Sequence, residues 1–113
     1  MLSQILVFLL LVVGGALAQS IVSPFNGTYY ESGDSIPTVI QGLRGGQKYR
    51  LAFYPTDTGN ILWSMNFTSY GSCSEVYYAY VPLEFSGNGT IQLYNYKDKS
   101  VPAFVSLNIL KRQ

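Results

Sequence analysis

The chain reads as all-β: a single antiparallel β-sandwich of about seven or eight short strands, with a small β-barrel as the alternative. Three observations predict this. Beyond residue 18, apolar and polar residues alternate with a period of two, and no segment there holds the 3.6-residue period of a helix. Turn-forming clusters punctuate the alternating runs: Ser32-Gly33-Asp34, Arg44-Gly45-Gly46, Asp57-Thr58-Gly59-Asn60, Ser69-Tyr70-Gly71, Ser86-Gly87-Asn88-Gly89 and Lys97-Asp98-Lys99. Aromatic residues make up 15% of the chain and charged residues only 12%, about half the usual charged share, so there is enough apolar surface to bury.

The elements follow from the alternation. Two short strands are expected at 27–30 and 36–40. In 47–54, Tyr49, Leu51 and Phe53 fall on one face and Lys48, Arg50, Ala52 and Tyr54 on the other, the pattern of a half-buried strand. Residues 61–68 repeat it, with Ile61, Trp63, Met65 and Phe67 against Leu62, Ser64, Asn66 and Thr68, which places Trp63 in the core. The run 76–83 sets Val76, Tyr78 and Tyr80 against Tyr77, Ala79, Val81 and Leu83, and Pro82 forces an end or an edge position. Either face could be the inner one; small Ala79 favours burying Tyr78 and exposing Tyr77. Strands at 90–96 and 103–109 complete the set, with Ile91, Leu93 and Asn95 against Gln92, Tyr94 and Tyr96 in the first.

The first eighteen residues stand apart. Residues 5–13 are uninterruptedly apolar and are followed by Gly14-Gly15 and Ala16-Leu17-Ala18, a small-x-small cleavage pattern, although no Lys or Arg precedes the run. A membrane anchor needs roughly 20 apolar residues, and this run is shorter. The expectation is a cleaved signal peptide over 1–18 and one domain over 19–113, secreted to the extracellular space, with no stable membrane insertion. The remaining length, about 95 residues, leaves no room for a second domain.

Composition narrows the chemistry. Seven basic and six acidic residues give a net charge of +1 with no single-sign tract, so nucleic acid is not expected as a partner. The chain holds no His, which removes Ser-His-Asp, Cys-His and His-ligated metal chemistry. Its six carboxylates sit at turns or strand ends, where solvated charge is the ordinary role, so the reading is a non-enzyme without a cofactor. Asp57, Thr58 and Asn60 could offer oxygens to calcium, but a turn stabilised by its own side chains explains them better. The single cysteine, Cys73, permits no intramolecular disulfide; in a small-residue loop of an oxidising compartment it points to an intermolecular disulfide and a homodimer, with burial as the alternative.

Two sets of residues remain as functional candidates. Asn26-Gly27-Thr28, Asn66-Phe67-Thr68 and Asn88-Gly89-Thr90 are N-glycosylation acceptors, with Asn26 and Asn88 expected in accessible Asn-Gly turns and Asn66 on the polar face of a strand. Tyrosines cluster at Tyr29-Tyr30, Tyr77-Tyr78-Tyr80 and Tyr94-Tyr96, and since adjacent strand residues point to opposite faces, some must face outward. Tyr77, Tyr94 and Tyr96 are the candidate ligand face, suited to a carbohydrate or an extracellular protein; cross-strand aromatic pairing is the competing explanation. The expected function is therefore a secreted, glycosylated binding module, with a self-associating structural or coat component as the alternative and a small hydrolase as a distant third.

The stretch Gly46-Gln47-Lys48-Tyr49-Arg50-Leu51-Ala52-Phe53, then Gly89-Thr90-Ile91-Gln92-Leu93-Tyr94 and the closing run 104–110, resembles the strand succession of secreted accessory sandwiches such as pre-peptidase C-terminal domains, and also that of Golgi-dynamics domains. The Asp-rich strand expected of the first family is missing around Ile61-Leu62-Trp63, and neither resemblance transfers a functional residue.

Overall fold

A computed structural model describes residues 18–113, so the expected leader lies outside the described residues except for Ala18. Eight strands follow in chain order: β1 (Ser20–Ser23), β2 (Tyr29–Glu31), β3 (Ser35–Gln41), β4 (Lys48–Pro55), β5 (Trp63–Thr68), β6 (Ser74–Tyr80), β7 (Gly87–Asn95) and β8 (Ser100–Leu110). They form a three-stranded sheet, β1-β3-β6, and a five-stranded sheet, β2-β8-β7-β4-β5, which pack as a sandwich. Tyr49, Leu51 and Phe53 of β4, Ile91 and Leu93 of β7, and Val105, Leu107 and Ile109 of β8 are buried against Ile36 and Ile40 of β3 and Ala79 of β6. The period-two pattern thus selects the inner face of each of these strands.

The structure departs from the sequence expectation in four places. Strand β1 has no alternating signature, being only SIVS, and it forms by pairing with β3. Strand β2 runs parallel to β8, because the chain crosses from one sheet to the other after β1 and adds at the open edge beside the C-terminal strand; Gly27 N donates to Ser106 O at 2.7 Å. Residues 87–89 belong to β7, where Asn88 sits opposite Asn108 of β8, so Asn88 lies in a strand and not in a turn. Its neighbour Gly89 packs where a Cβ would enter the Phe53 ring, so the glycine serves a close approach and not a reversal.

The fourth departure concerns β6. Its register with β3 pairs Thr38 with Tyr77 and Ile36 with Ala79, and Ile36, Thr38 and Ile40 all face the core. Tyr77 therefore turns inward, while Tyr78 stands outside with 60% of its surface exposed, the reverse of the expected assignment. The Tyr77 ring fills the inter-sheet gap that small Ala79 cannot, stacking on Phe67 of the opposite sheet with centroids 3.8 Å apart. Tyr77→Ala is accordingly expected to cost about 2–4 kcal/mol of unfolding free energy and Tyr78→Ala less than about 1 kcal/mol, as read by denaturant titration; equal losses would contradict this packing.

Candidate functional site

At one end of the sandwich the β4–β5 and β6–β7 connections part and leave a groove of about 540 Å³. Its walls are Pro55, Leu62 and Trp63 from the first connection and Tyr80, Pro82, Glu84 and Phe85 from the second. Trp63 belongs to the inner face of β5, as its alternation predicts, but it lies opposite Phe53 at the end of the sandwich, where closure is incomplete, and is only half-buried. Phe85 is fixed edge-to-face on Phe53 at 5.3 Å, which makes the groove floor an extension of the core. Leu62 and Tyr80 keep 46% and 36% of their surface exposed at the apolar rim, whereas Leu83 beside them, 62% exposed, lies over Gly33. Glu84 is the one ionisable carboxylate in the lining. None of these residues except Tyr80 belongs to a Tyr cluster, and the missed signal is Pro82 closing a strand directly before Leu83 and Phe85.

Tyr94 and Tyr96 lie elsewhere, on the outer face of the five-stranded sheet. Their rings meet edge-to-face at 5.1 Å. The Arg50 guanidinium sits 4.8 Å from the Tyr94 centroid and the Lys48 ammonium 5.3 Å from that of Tyr96. Arg50 also donates to Gln92 Oε1 at 3.3 Å, and its buried Nε has no hydrogen-bond partner among the described residues. Tyr96 Oη donates to Asn66 Oδ1 at 2.6 Å. These two tyrosines thus share one face, whereas Tyr77 points into the sandwich on another strand and is removed from any such face.

The other acceptor asparagines are exposed. Asn26 Oδ1 accepts from Ser106 N at 3.0 Å, and Asn88 stands opposite Asn108. Thr90, the hydroxyl residue of the Asn88 triplet, is buried in the folded chain, its Oγ1 2.8 Å from that of Thr56. Cys73 is exposed on the loop between β5 and β6 and carries a free thiol, so the buried alternative does not hold. In the turn at 57–60, Asn60 N donates to Thr58 Oγ1 at 3.3 Å, and no three His, Cys, Asp or Glu side chains converge among the described residues.

The loop bearing Cys73 is tied down by Glu75. This carboxylate is buried and accepts from Ser69 Oγ at 2.5 Å, Tyr77 Oη at 2.7 Å and Tyr70 N at 3.2 Å. Burial pushes its pKa up, but the Ser69 and Tyr77 hydroxyls and the Tyr70 and Gly71 amides outweigh burial and hold it below the ordinary 4.5. Burial and the Glu75 contact together raise the Tyr77 phenol well above its usual range.

No family model matches the chain, and no curated protein matches it by sequence. Among solved structures it is similar to the fibronectin(III)-like modules of Clostridium thermocellum CbhA, with 14% identity over 84% of this chain and 99% of that one, at a TM-score of 0.49.

Because Glu75 is stabilised as the carboxylate in the folded state, its contribution is present above its unfolded pKa and is lost as pH falls through the depressed folded value. The difference in unfolding free energy between the native chain and Glu75→Gln is expected to be constant above about pH 5 and to shrink steadily below about pH 4.5, measured by denaturant titration across pH. A gap that stays constant into acid would mean that the carboxylate charge plays no part.

Proposed function

We propose that the chain is a secreted, N-glycosylated recognition module without catalytic activity, whose groove seats an apolar side chain of an extracellular protein. The lining carries this reading: six of the seven wall residues are Pro, Leu or aromatic, and Glu84 alone is charged. A sugar presents hydroxyls all round and needs several polar partners, whereas a Leu, Phe or Pro anchor needs apolar walls and shape. The volume of about 540 Å³ lies within the range of small binding clefts. Glu84, exposed beside those walls, adds a preference for a basic residue next to the anchor. The leader-like segment 1–18 and the three Asn-x-Thr triplets support the compartment, and the absence of His supports binding over catalysis.

The test is a titration of the folded protein with peptides that combine one apolar anchor and one basic residue, alongside a glycan array. Tyr80→Ala and Glu84→Gln are each expected to weaken peptide binding by about ten-fold or more while leaving the unfolding midpoint nearly unchanged. Binding confined to glycans would hand the groove to carbohydrate. Binding to neither, or peptide binding indifferent to both substitutions, would overturn the reading.

A second reading rests on the exposed Cys73 thiol, which in an oxidising compartment joins two copies as a homodimer and makes the chain a self-associating component. A doubled mass on a non-reducing gel that collapses on reduction and is absent in Cys73→Ser is the expected result; monomeric mobility of the native chain would remove this reading.

A further inference from the structure

Strand β5 is the outermost strand of the five-stranded sheet beyond β4, and Asn66 lies in it, exposed. Across the sheet, Asn66 stands opposite Arg50 of β4, and Arg50 stands opposite Tyr94 of β7, so the three form one row on the outer face. The Tyr96 side chain, from the end of β7, reaches Asn66 Oδ1, and because β4 separates the two strands it must cross the top of β4 to do so. That traverse is about 10 Å, two strand spacings, which a tyrosine can bridge only when laid along the sheet. Lys48 covers one side of the ring at 5.3 Å, and Tyr94 meets it at its edge.

This arrangement treats the two ends of the Asn66 amide differently. The carbonyl is held, whereas Nδ2, the atom that a transferred sugar would join, makes no side-chain hydrogen bond among the described residues. Modification keeps the carbonyl, so the Tyr96 bond forms on the glycosylated side chain as it does on the bare one and fixes the amide orientation once the strands have paired. A sugar on Nδ2 then starts beside an aromatic ring lying along the face, with the Arg50 and Lys48 cations nearby as hydrogen-bond donors.

We propose that Asn66 carries an N-linked glycan whose first sugars pack on Tyr96 and Tyr94, so that the saccharide this aromatic face holds is the chain's own. The inference rests on the secretion reading above. The donor class is an oligosaccharide linked through pyrophosphate to a lipid. A bond forms between Asn66 Nδ2 and the anomeric carbon; the anomeric carbon–oxygen bond breaks, the lipid pyrophosphate leaves with the electron pair, and Nδ2 gives up one proton to base. Transfer precedes strand pairing, which reconciles modification within a strand with the extended backbone at 66–68.

The experiment secretes the full chain from a eukaryotic host, maps the occupancy of Asn26, Asn66 and Asn88 by mass spectrometry, and measures melting temperature for four proteins: native, Thr68→Ala, Tyr96→Ala and the double variant. Thr68→Ala abolishes the triplet but keeps Asn66 and its Tyr96 bond. The expected result is occupancy of Asn66, a fall of about 4 °C for Thr68→Ala in the Tyr96 background, and little or no fall in the Tyr96→Ala background. The same Thr68→Ala change in unglycosylated bacterial protein should move the midpoint by less than about 1 °C. An N-acetyl methyl resonance of the first sugar, shifted by ring current in the native glycoprotein and unshifted after Tyr96→Leu, gives a readout independent of folding yield. Occupied Asn26 or Asn88 with bare Asn66, or an Asn66 glycan that stabilises equally with and without Tyr96, overturns the proposal alone. Absence of sugar at all three in chain recovered from the medium overturns the glycosylation reading with it, and failure of the chain to reach the medium overturns the secretion reading.

Discussion

The sandwich is clasped by aromatic stacking, the role that disulfides fill in many domains of this size. With Cys73 the only cysteine, no covalent staple joins the sheets. In its place Tyr49 of β4 stacks on Phe67 of β5 at 5.7 Å, and Phe67 stacks on Tyr77 of β6 at 3.8 Å, a three-ring column that crosses from the five-stranded to the three-stranded sheet. Each ring has its hydroxyl, where it has one, satisfied at the margin of the core: Tyr49 Oη accepts from Arg44 N, and Tyr77 Oη donates to Glu75. Burial of three aromatic side chains in contact supplies area and geometry together, which fits the high Tyr and Phe content of so short a chain.

From that column the rest of β6 follows. Once Tyr77 is committed inward, Glu75, two residues earlier, must also face inward, and a carboxylate there is tolerable only if it is surrounded by donors. The loop between β5 and β6 supplies them, folding its Ser69 hydroxyl and the Tyr70 amide onto the carboxylate, with Gly71 N donating in turn to Ser69 Oγ at 3.0 Å. The same loop packs Gly71 against Gly45, where a Cβ on either would fall within 3.3 Å of the other's backbone, and Gly71 also holds a positive φ of 79° that favours glycine. Cys73 is thereby exposed by a loop that is itself firmly anchored. Val76, Tyr78 and Tyr80 are turned outward as the necessary counterpart of the inward set.

Much of the architecture was legible in the sequence because burial on one face leaves a period-two imprint, and β4, β7 and β8 carry it plainly. What escaped was whatever depends on partners distant in the chain. Strand β1 has too few residues to alternate, and it exists because β3 offers it an edge. The parallel pairing of β2 is set by where the chain crosses between sheets, about which local pattern is silent. Asn88-Gly89 reads as a turn from local chemistry, yet Gly89 is there because the Phe53 and Phe85 rings occupy the space beside it. The inner face of β6 was ambiguous because both its sides carry a tyrosine, and Phe67, from a different strand, decides between them. For the same reason the candidate ligand face was half legible. Tyr94 of β7 and Tyr96, the first residue after it, are two apart and so fall on one side by the pleat the sequence shows, whereas the groove is assembled from two loops and could not be seen without the fold.

The three acceptor asparagines divide the surface into two unlike halves. Asn66 lies on the outer face of β5, Asn88 shares the outward parity of Gln92 and Tyr94 along β7, and Asn26 bonds to the backbone of β8 at Ser106, so all three belong to the five-stranded sheet. The three-stranded sheet has none, and its outer face presents Pro37, Val76 and Tyr78 with β6 at its edge, while the five-stranded sheet exposes Tyr29, Phe104 and Leu110. Tyr80 continues that outward series and is also a wall of the groove, which joins the small sheet and the groove into one unbroken apolar tract. Sugar on the asparagines would shield the broad sheet with hydrated bulk and leave this tract as the part of the molecule that a partner can approach. An exposed apolar edge is ordinarily a hazard in solution, and the two edge strands differ in this respect: β6 carries Val76 and Tyr78 outward with no acceptor asparagine, whereas β5 carries Asn66.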